Sequence, residues 1–420
     1  MGMGLAQLPQ ELLLRVIEEI DNMSSLTALT LTCHAVHNTI LQHERLVCER
    51  VLLNHIRGPD WKDLVFACTI LREEPREGWT PTEQQRLVQD HQNLSDEQAV
   101  ADMTLDKAVS IATLFDAIDY FSSGCAAKAL AIAHERYCPD ASEEPVPTEP
   151  EILRNRRAFL HFELYCSLFS RLDNWPRADQ DNDAVDNHIR SIFWDKYSPW
   201  EMEQVACVYD YFYRRLGDIF EDLALQDPEW AVELSIAGGV NGPMIEWWLA
   251  IGLKNLRTLI SGDWATRRKM LDDRARRYRV MPCFLTDGLR IAIDHREDDT
   301  QLQSMTPEIE AEFIRPAFHQ DDQDPGPETV WRWAHHSKSP DNIGDRGWVL
   351  SDLQMSLREF GCVFWDQARI SRWRLLERPW QGEHDTAMQR EDKEMESRDR
   401  IQALAESLAE QGKTSTYRVW

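Results

Sequence analysis

Helix starts are marked all along this chain, and strand signals are nearly missing. Thr80-Pro-Thr-Glu83 places a hydroxyl at a capping position, a proline at the first helical position and a glutamate three residues on. Ser198-Pro-Trp-Glu201 repeats the arrangement, and Ser95-Asp-Glu-Gln98 and Ser351-Asp-Leu-Gln354 are further capping boxes. In each, the side-chain oxygen can accept from a first-turn amide that has no partner within the helix, so a helix begins there. Asp227-Pro228 predicts another start and Gly238-Gly239 its left-handed end. Gly242-Pro243 predicts the next, with Met244, Ile245, Trp248, Leu249 and Ile251 as its apolar side. Asn241-Gly242 and Asp287-Gly288 are the only Asn-Gly and Asp-Gly pairs, and both read as turns between helices rather than hairpins. The expected fold class is all-α.

Composition narrows the function classes. The 420 residues suffice for two to four domains, or for one small module and a larger body. Hydrophobic residues reach 43%, enough for a sizeable core. Asp and Glu number 72 against 46 Lys and Arg, a net charge of −26 that repels phosphate backbones and anionic lipid, so no nucleic-acid or membrane partner is expected. No apolar run approaches the ~18 residues of a membrane helix. The opening Met-Gly-Met-Gly-Leu-Ala-Gln reads neither as a signal peptide nor as a full myristoylation motif, because Ala6 stands where Ser or Thr is wanted. Nine cysteines without a CxxC favour reduced thiols over a disulfide framework or a zinc site. The expected setting is intracellular, cytoplasmic or nuclear.

Four stretches read as loops or linkers: 138–151, 173–187, 319–329 and 335–347. The tail from about Glu383 to Gly412 is highly charged, with Ile401, Leu404 and Leu408 on one side of a surface helix. The expected domains are 1–48, a helical body over 49–380, and a charged tail over 381–420.

Residues 8–40 carry the most information. Pro9 begins a helix, and Glu11 favours its positive end. Leu12, Leu13, Val16, Ile17 and Ile20 give that helix a wide apolar face. Asp21-Asn22 stops it, Ser24 or Ser25 caps a second helix with Leu26, Leu29 and Leu31, and a third carries Val36 and Ile40. A unit of some 40 residues buries too little surface to be robust alone, so its core needs completing by the body or by a partner.

This segment resembles an F-box. The resemblance rests on the Leu8-Pro9-x-Glu11-Leu12-Leu13 opening, Ile17, the Leu26 and Leu29 pair and Thr32-Cys33-His34; a tryptophan common near the end of the pattern is absent, with His37 or Asn38 in that region. The resemblance implies docking on the Skp-type adaptor of a cullin–RING ubiquitin ligase through Leu8, Pro9, Leu12, Leu13, Ile17, Leu26, Leu29, Cys33 and Val36, with Leu12 and Ile17 as anchors. The remainder of the chain would recruit a protein substrate. Ser198-Pro-Trp-Glu-Met-Glu-Gln-Val-Ala-Cys-Val-Tyr-Asp-Tyr211 and Leu357-Arg-Glu-Phe-Gly-Cys-Val-Phe-Trp-Asp366 with Arg369-Ile370 look like segments recurrent in fungal F-box-like proteins, with Cys362 where an aromatic is usual. That likeness implies an α-rich body. Physically, Val205, Val208, Tyr209, Phe212 and Leu216 follow core spacing, and Trp365 is expected buried with a partner for its indole N–H.

Other clusters read as structure. Asp179-x-Asp181-x-Asp183 starts like a calcium loop, but Ala184 replaces the turning Gly and Arg190 the bidentate Glu. His34 and His37, three apart beside Cys33, lack a second ligand cluster, and His335-His336 read as exposed loop residues. Gly238-Gly-Val-Asn-Gly242 follows a helix and lacks the Lys-Ser/Thr of a phosphate loop. The basic run Arg267–Arg279 reads as a solvated face paired with the chain's own acids, the rival reading being a stripe for a phosphorylated or acidic motif. Among sixteen tryptophans, Trp247-Trp248, Trp331-x-Trp333, Trp373 and Trp380 read as core rather than as a ligand groove. The expectation is therefore a substrate-recruiting ligase subunit that binds adaptor and cullin, with no catalytic residue, cofactor or metal. The alternative is an adaptor-bound interaction protein working outside the ligase.

Overall fold

In the computed structural model the chain is all-α. The structure describes residues 7–56, 61–73, 79–137, 146–170, 182–226, 245, 248–275, 285, 288–289, 324–336, 355–377, 395–396, 399–404, 406–408 and 410–411, and among these no strand occurs. The helices are α1 (Gln10–Glu18), α2 (Met23–Thr30), α3 (His34–Gln42), α4 (Glu44–His55), α5 (Trp61–Glu73), α6 (Pro81–Asn93), α7 (Asp96–Ala99), α8 (Leu105–Tyr137), α9 (Glu149–Phe169), α10 (Asn182–Ile192), α11 (Pro199–Gln226), α12 (Leu253–Ser261), α13 (Trp264–Ala275), α14 (Gly326–His336), α15 (Met355–Glu359) and α16 (Gln367–Trp373). The chain forms two compact units: residues 1–76 with 82–121, and residues 77–81 with 122–420.

In the first unit, α1 to α4 close over one apolar interior. Leu13 and Ile17 of α1, Met23 and Leu26 of α2, Val36 and Ile40 of α3, and Val47, Cys48, Val51 and Leu52 of α4 are all buried. The fourth helix runs through residue 48, and its apolar side completes what three short helices leave open. Asn22, not Ser24 or Ser25, caps α2: its Oδ1 accepts from the Ser25 amide at 2.7 Å. The extended backbone of Asn22 lets the side chain turn back onto the first turn, which a residue already inside the helix cannot do. The Ser95 capping box forms as expected, with Gln98 answering, and α6 begins at Pro81. His91 stacks on Phe66 with ring centroids 4.0 Å apart and meets Asp63 at 2.9 Å.

The second unit is organised by α9 and α11, which pack along each other. Ser198 caps α11: its hydroxyl donates to Glu201 Oε2 at 2.8 Å and accepts from the Glu201 amide at 3.3 Å. Buried Val205, Val208, Phe212 and Leu216 follow along the helix, with Tyr209 half-buried. The end of the stretch expected as a linker over 138–151 is instead a capping box. Thr148 accepts from the Glu151 amide, Glu151 answers to the Thr148 amide at 2.8 Å, and α9 starts at Glu149. Likewise α10 begins at Asn182 and α14 at Gly326, inside stretches expected as loops, while His335 and His336 end α14. Acidic and proline residues marked those stretches as polar, but the same residue types favour helix first turns.

Residues 355–377 are clamped onto α9 and α11 by three arginines. Buried Arg358 donates to Glu203 at 2.5 Å and to Asp210 at 3.3 Å. Arg154 donates to Phe364 O at 2.7 Å and to Asp366 at 2.8 Å. Arg369 grips Glu151 through two 2.7 Å bonds and lies over the rings of Trp365 and Trp373. Burial alone raises the Glu151 carboxyl, but Arg369 and the Asp366 and Thr148 amides outweigh it and hold the group below its ordinary value. Trp365 is fully buried with its indole N–H on Phe360 O at 2.7 Å, as expected from the sequence. Gly361 takes the left-handed conformation (φ 60°) that ends α15, where a Cβ would come 2.9 Å from Phe364.

A buried carboxyl closes another long loop of chain. Glu163 Oε2 accepts from the Leu253 amide at 2.6 Å, capping α12 from 90 residues away. Gly252 approaches at φ 77°, and a Cβ there would lie 3.0 Å from Glu163 Oε1. At its start the basic run is in part engaged by the fold, while Lys269 is exposed. Arg267 donates to Leu259 O and Ile260 O at the end of α12, at 3.2 and 2.9 Å, and Arg268 is buried. Trp248, Trp331 and Trp373 are core. Asp179 and Asp181 of the calcium-like run, Gly238–Gly239, the Ser351 box, Trp247 and Trp380 lie outside the described residues, while Asp183, Ala184 and Arg190 of that run fall in α10. In the tail, Ile401 is buried and Leu404 and Leu408 half-buried on one helical side. The seven described cysteines are free, and no described helix is long and apolar enough to cross a membrane.

Two stability measurements follow from these charges. Arg358→Met leaves Glu203 and Asp210 buried without their cation and is expected to cost about 3–5 kcal/mol in urea unfolding. Burial pushes the Glu163 carboxyl from its ordinary 4.5 up to about 7, against the lowering by the Leu253 amide and Lys254. The folded state therefore holds this proton more tightly than the unfolded chain. The stabilisation is full below pH ~4.5 and is lost as pH rises towards ~7, about 3 kcal/mol in all. The difference between wild type and Glu163→Gln, followed by denaturant titration from pH 4.5 to 8, should carry this slope; a difference independent of pH would refute the assignment.

Candidate protein-docking surface

Leu8, Leu12 and Val16 recur every four residues, so they share one side of α1 and its approach. Leu13 and Ile17 follow one residue behind and face about 100° away. The structure turns the second pair inward and Leu12 and Val16 outward, with Leu8 half-buried. Ile17 is 0% exposed, whereas Leu12 is 49% and Val16 44% exposed.

Two tethers fix this rotation. Gln10 Nε2 donates to Gln42 Oε1 at 2.6 Å, tying the first turn of α1 to the end of α3. Asn54 Nδ2 on α4 donates to Glu18 O at 2.8 Å and to Ile20 O at 3.0 Å, satisfying carbonyls that the end of α1 leaves without helical partners. Held at both ends and weighted by Leu13 and Ile17, α1 cannot roll its outer stripe into the core without breaking both tethers.

The side chains expected at an adaptor interface therefore divide. Leu13, Ile17, Leu26 and Val36 form the interior of the unit. Leu8, Leu29 and Cys33 are half-buried, and Pro9 and Leu12 are exposed. Of the two expected anchors, Leu12 is accessible and Ile17 is closed in by its own helices. Val16 was not among the expected docking residues; its spacing of four from Leu12 is the signal that places it there. Leu31, just beyond α2, is exposed as well. Glu11, Arg15 and Glu19, all exposed, give the stripe a charged border. Scattered exposed leucines are ordinary, but an aligned set with a polar rim has the layout of a protein interface.

His34 and His37 are exposed on α3, and no group of three or more His, Cys, Asp or Glu that could hold a metal occurs among the described residues. Stability separates the two faces of α1. Leu12→Asp in the full chain should shift the unfolding free energy by no more than about 0.5 kcal/mol. Ile17→Asp puts an unpaired charge into the interior and should cost several kcal/mol in the same urea titration. Comparison of the chain with protein-family models, curated proteins and solved structures finds no match.

Proposed function

We propose that this chain is a substrate-recruiting subunit of a cullin–RING ubiquitin ligase. It docks on a Skp-type adaptor through its leading helices and acts by proximity, with no catalysis of its own. The observation that carries the reading is the outward pair Leu12 and Val16, on a helix whose approach and first turn read Leu-Pro-x-Glu-Leu-Leu. The F-box resemblance names the partner, and the exposure of the stripe gives that partner something apolar to cover. A specific interface buries roughly 800 Å² per side and concentrates its energy in a few central anchors. Leu12 meets that description, and the half-buried Leu29 and Cys33 suit its margins. The buried members of the expected set contribute by holding α1 to α3 in register, an indirect share in binding. The body then supplies the client-facing surface, and holding a client beside a ubiquitin-charged enzyme raises the effective concentration of the reacting groups.

The test uses the full chain with purified Skp-type adaptor and cullin. Wild type should co-elute with both. Leu12→Asp/Val16→Asp should lose at least tenfold in adaptor affinity while keeping its helical circular dichroism, because a charge enters a dry contact without disturbing the interior. Undiminished adaptor binding by the folded double variant would sink the reading. Adaptor binding without cullin in the complex would move the chain outside the ligase.

A further inference from the structure

The tail returns to the second unit as an amphipathic helix. Arg400 pairs with Glu221 near the end of α11, and the next residue, Ile401, is 4% exposed. Leu404 and Leu408 follow three and seven positions after Ile401 and are half-buried, so the three share one side. Gln402, Ala403, Glu406 and Glu410 lie exposed on the opposite side. The seating is light. Ile401 is the one buried side chain among the described tail residues. The Arg400 and Glu221 side chains are 58% and 37% exposed, and an ion pair that open to water contributes little. A helix this short is marginal without a surface to lie on. The contact therefore belongs to the low-stability end of the fold, where local opening is most frequent. On α11, Asp218 and Asp222 are exposed beside Glu221, and Leu225 is exposed one turn further on. An acidic border with an aliphatic side chain at its edge suits a helix that leads with a cation and continues with aliphatic groups.

We propose that this end of α11 is a helix-binding site, occupied in cis by the tail, and that a partner protein takes it by presenting the tail's own pattern: a basic residue, an aliphatic residue directly after it, and further aliphatic residues three and seven positions on. The seated tail selects that occupant, because it displays the side-chain order the surface accepts. Recognition of a helix through anchors at such spacing is a common mode of peptide binding. The tether makes the tail a competitor. A linked segment meets its site at a roughly millimolar effective concentration, so even light seating excludes a free helix of equal strength. Access to the site is thus governed by whether the tail is down. That the partner is a client of the ligase rests on the recruiting role proposed above; the helix site itself does not.

The probe is a labelled synthetic peptide of residues 395–412, measured by fluorescence anisotropy on the full chain. Its Glu396, Asp399, Glu406 and Glu410 outnumber Arg398 and Arg400, so bulk attraction to a chain of net charge −26 cannot produce binding. Ile401→Asp/Leu404→Asp in the chain unseats the tail. Arg400→Glu, an exposed substitution that sets like charge against Glu221, unseats it without touching an apolar contact. Each opened variant should bind the peptide at least tenfold more tightly than wild type does. A peptide carrying Arg400→Glu should bind them at least tenfold more weakly, and should recover on a Glu221→Arg chain, whose own Arg400 is repelled. A Leu404→Pro peptide, its helix broken, should lose binding. Equal binding by wild type and both opened variants, no binding to either opened variant up to roughly 1 mM peptide, or charge reversal without recovery would overturn the inference. The two proposals fail separately: Leu12→Asp/Val16→Asp added to Ile401→Asp/Leu404→Asp should retain the peptide, and Ile401→Asp/Leu404→Asp alone should retain the adaptor.

Discussion

A guanidinium held between two buried carboxylates governs the second unit. Arg358 reaches Glu203 and Asp210 on α11 across some 150 positions of sequence. A charge of either sign left alone there would be strongly unfavourable, so the three groups are tolerable only together. The same logic repeats at Arg154 with Asp366 and at Arg369 with Glu151. Each clamp joins the segment 355–377 to a helix far upstream, so the contacts that define this unit are of long range. Such charges do less for net stability than an apolar core of equal volume would. What they give is selectivity, because a shifted register of α15 or α16 would leave a buried arginine or carboxylate without its partner.

This is also where the sequence is least readable. Capping boxes state their own geometry within four residues, so Ser95, Ser198 and the start at Pro81 could be placed from the sequence, and the absence of strand signals was equally local. Trp365 was readable because an indole of that size has to be buried and its N–H answered nearby. Which arginine meets which carboxylate is a matter of tertiary register, and no short pattern holds it. Thr148-Glu-Pro-Glu151 shows the converse: its composition is that of a linker, yet its order is that of a helix start, and the Glu151 side chain is buried.

The leading helix poses a subtler case. Leu12, Leu13, Val16 and Ile17 form one broad apolar arc, and periodicity alone cannot say which edge turns inward. The structure resolves it by packing Leu13 and Ile17 against α3 and α4, with Gln42 and Asn54, 30 to 40 residues later, bonding the two ends of α1 in that orientation. That orientation separates residues that build the unit from residues that remain available to a partner. The adaptor reading depends on the second group.

The Arg358 cluster has a chemical side effect. Cys207 and Cys362 lie beside it, and burial, reinforced by the negative charge of Glu203, lifts both thiols well above their ordinary range. Nucleophilic sulfur requires the thiolate, so alkylating reagents and oxidants find these two atoms inert while the clamp is shut. Their modification then counts openings of the enclosure rather than encounters with its surface, and the pair serves as a built-in clock for how often α11 and the 355–377 segment part company.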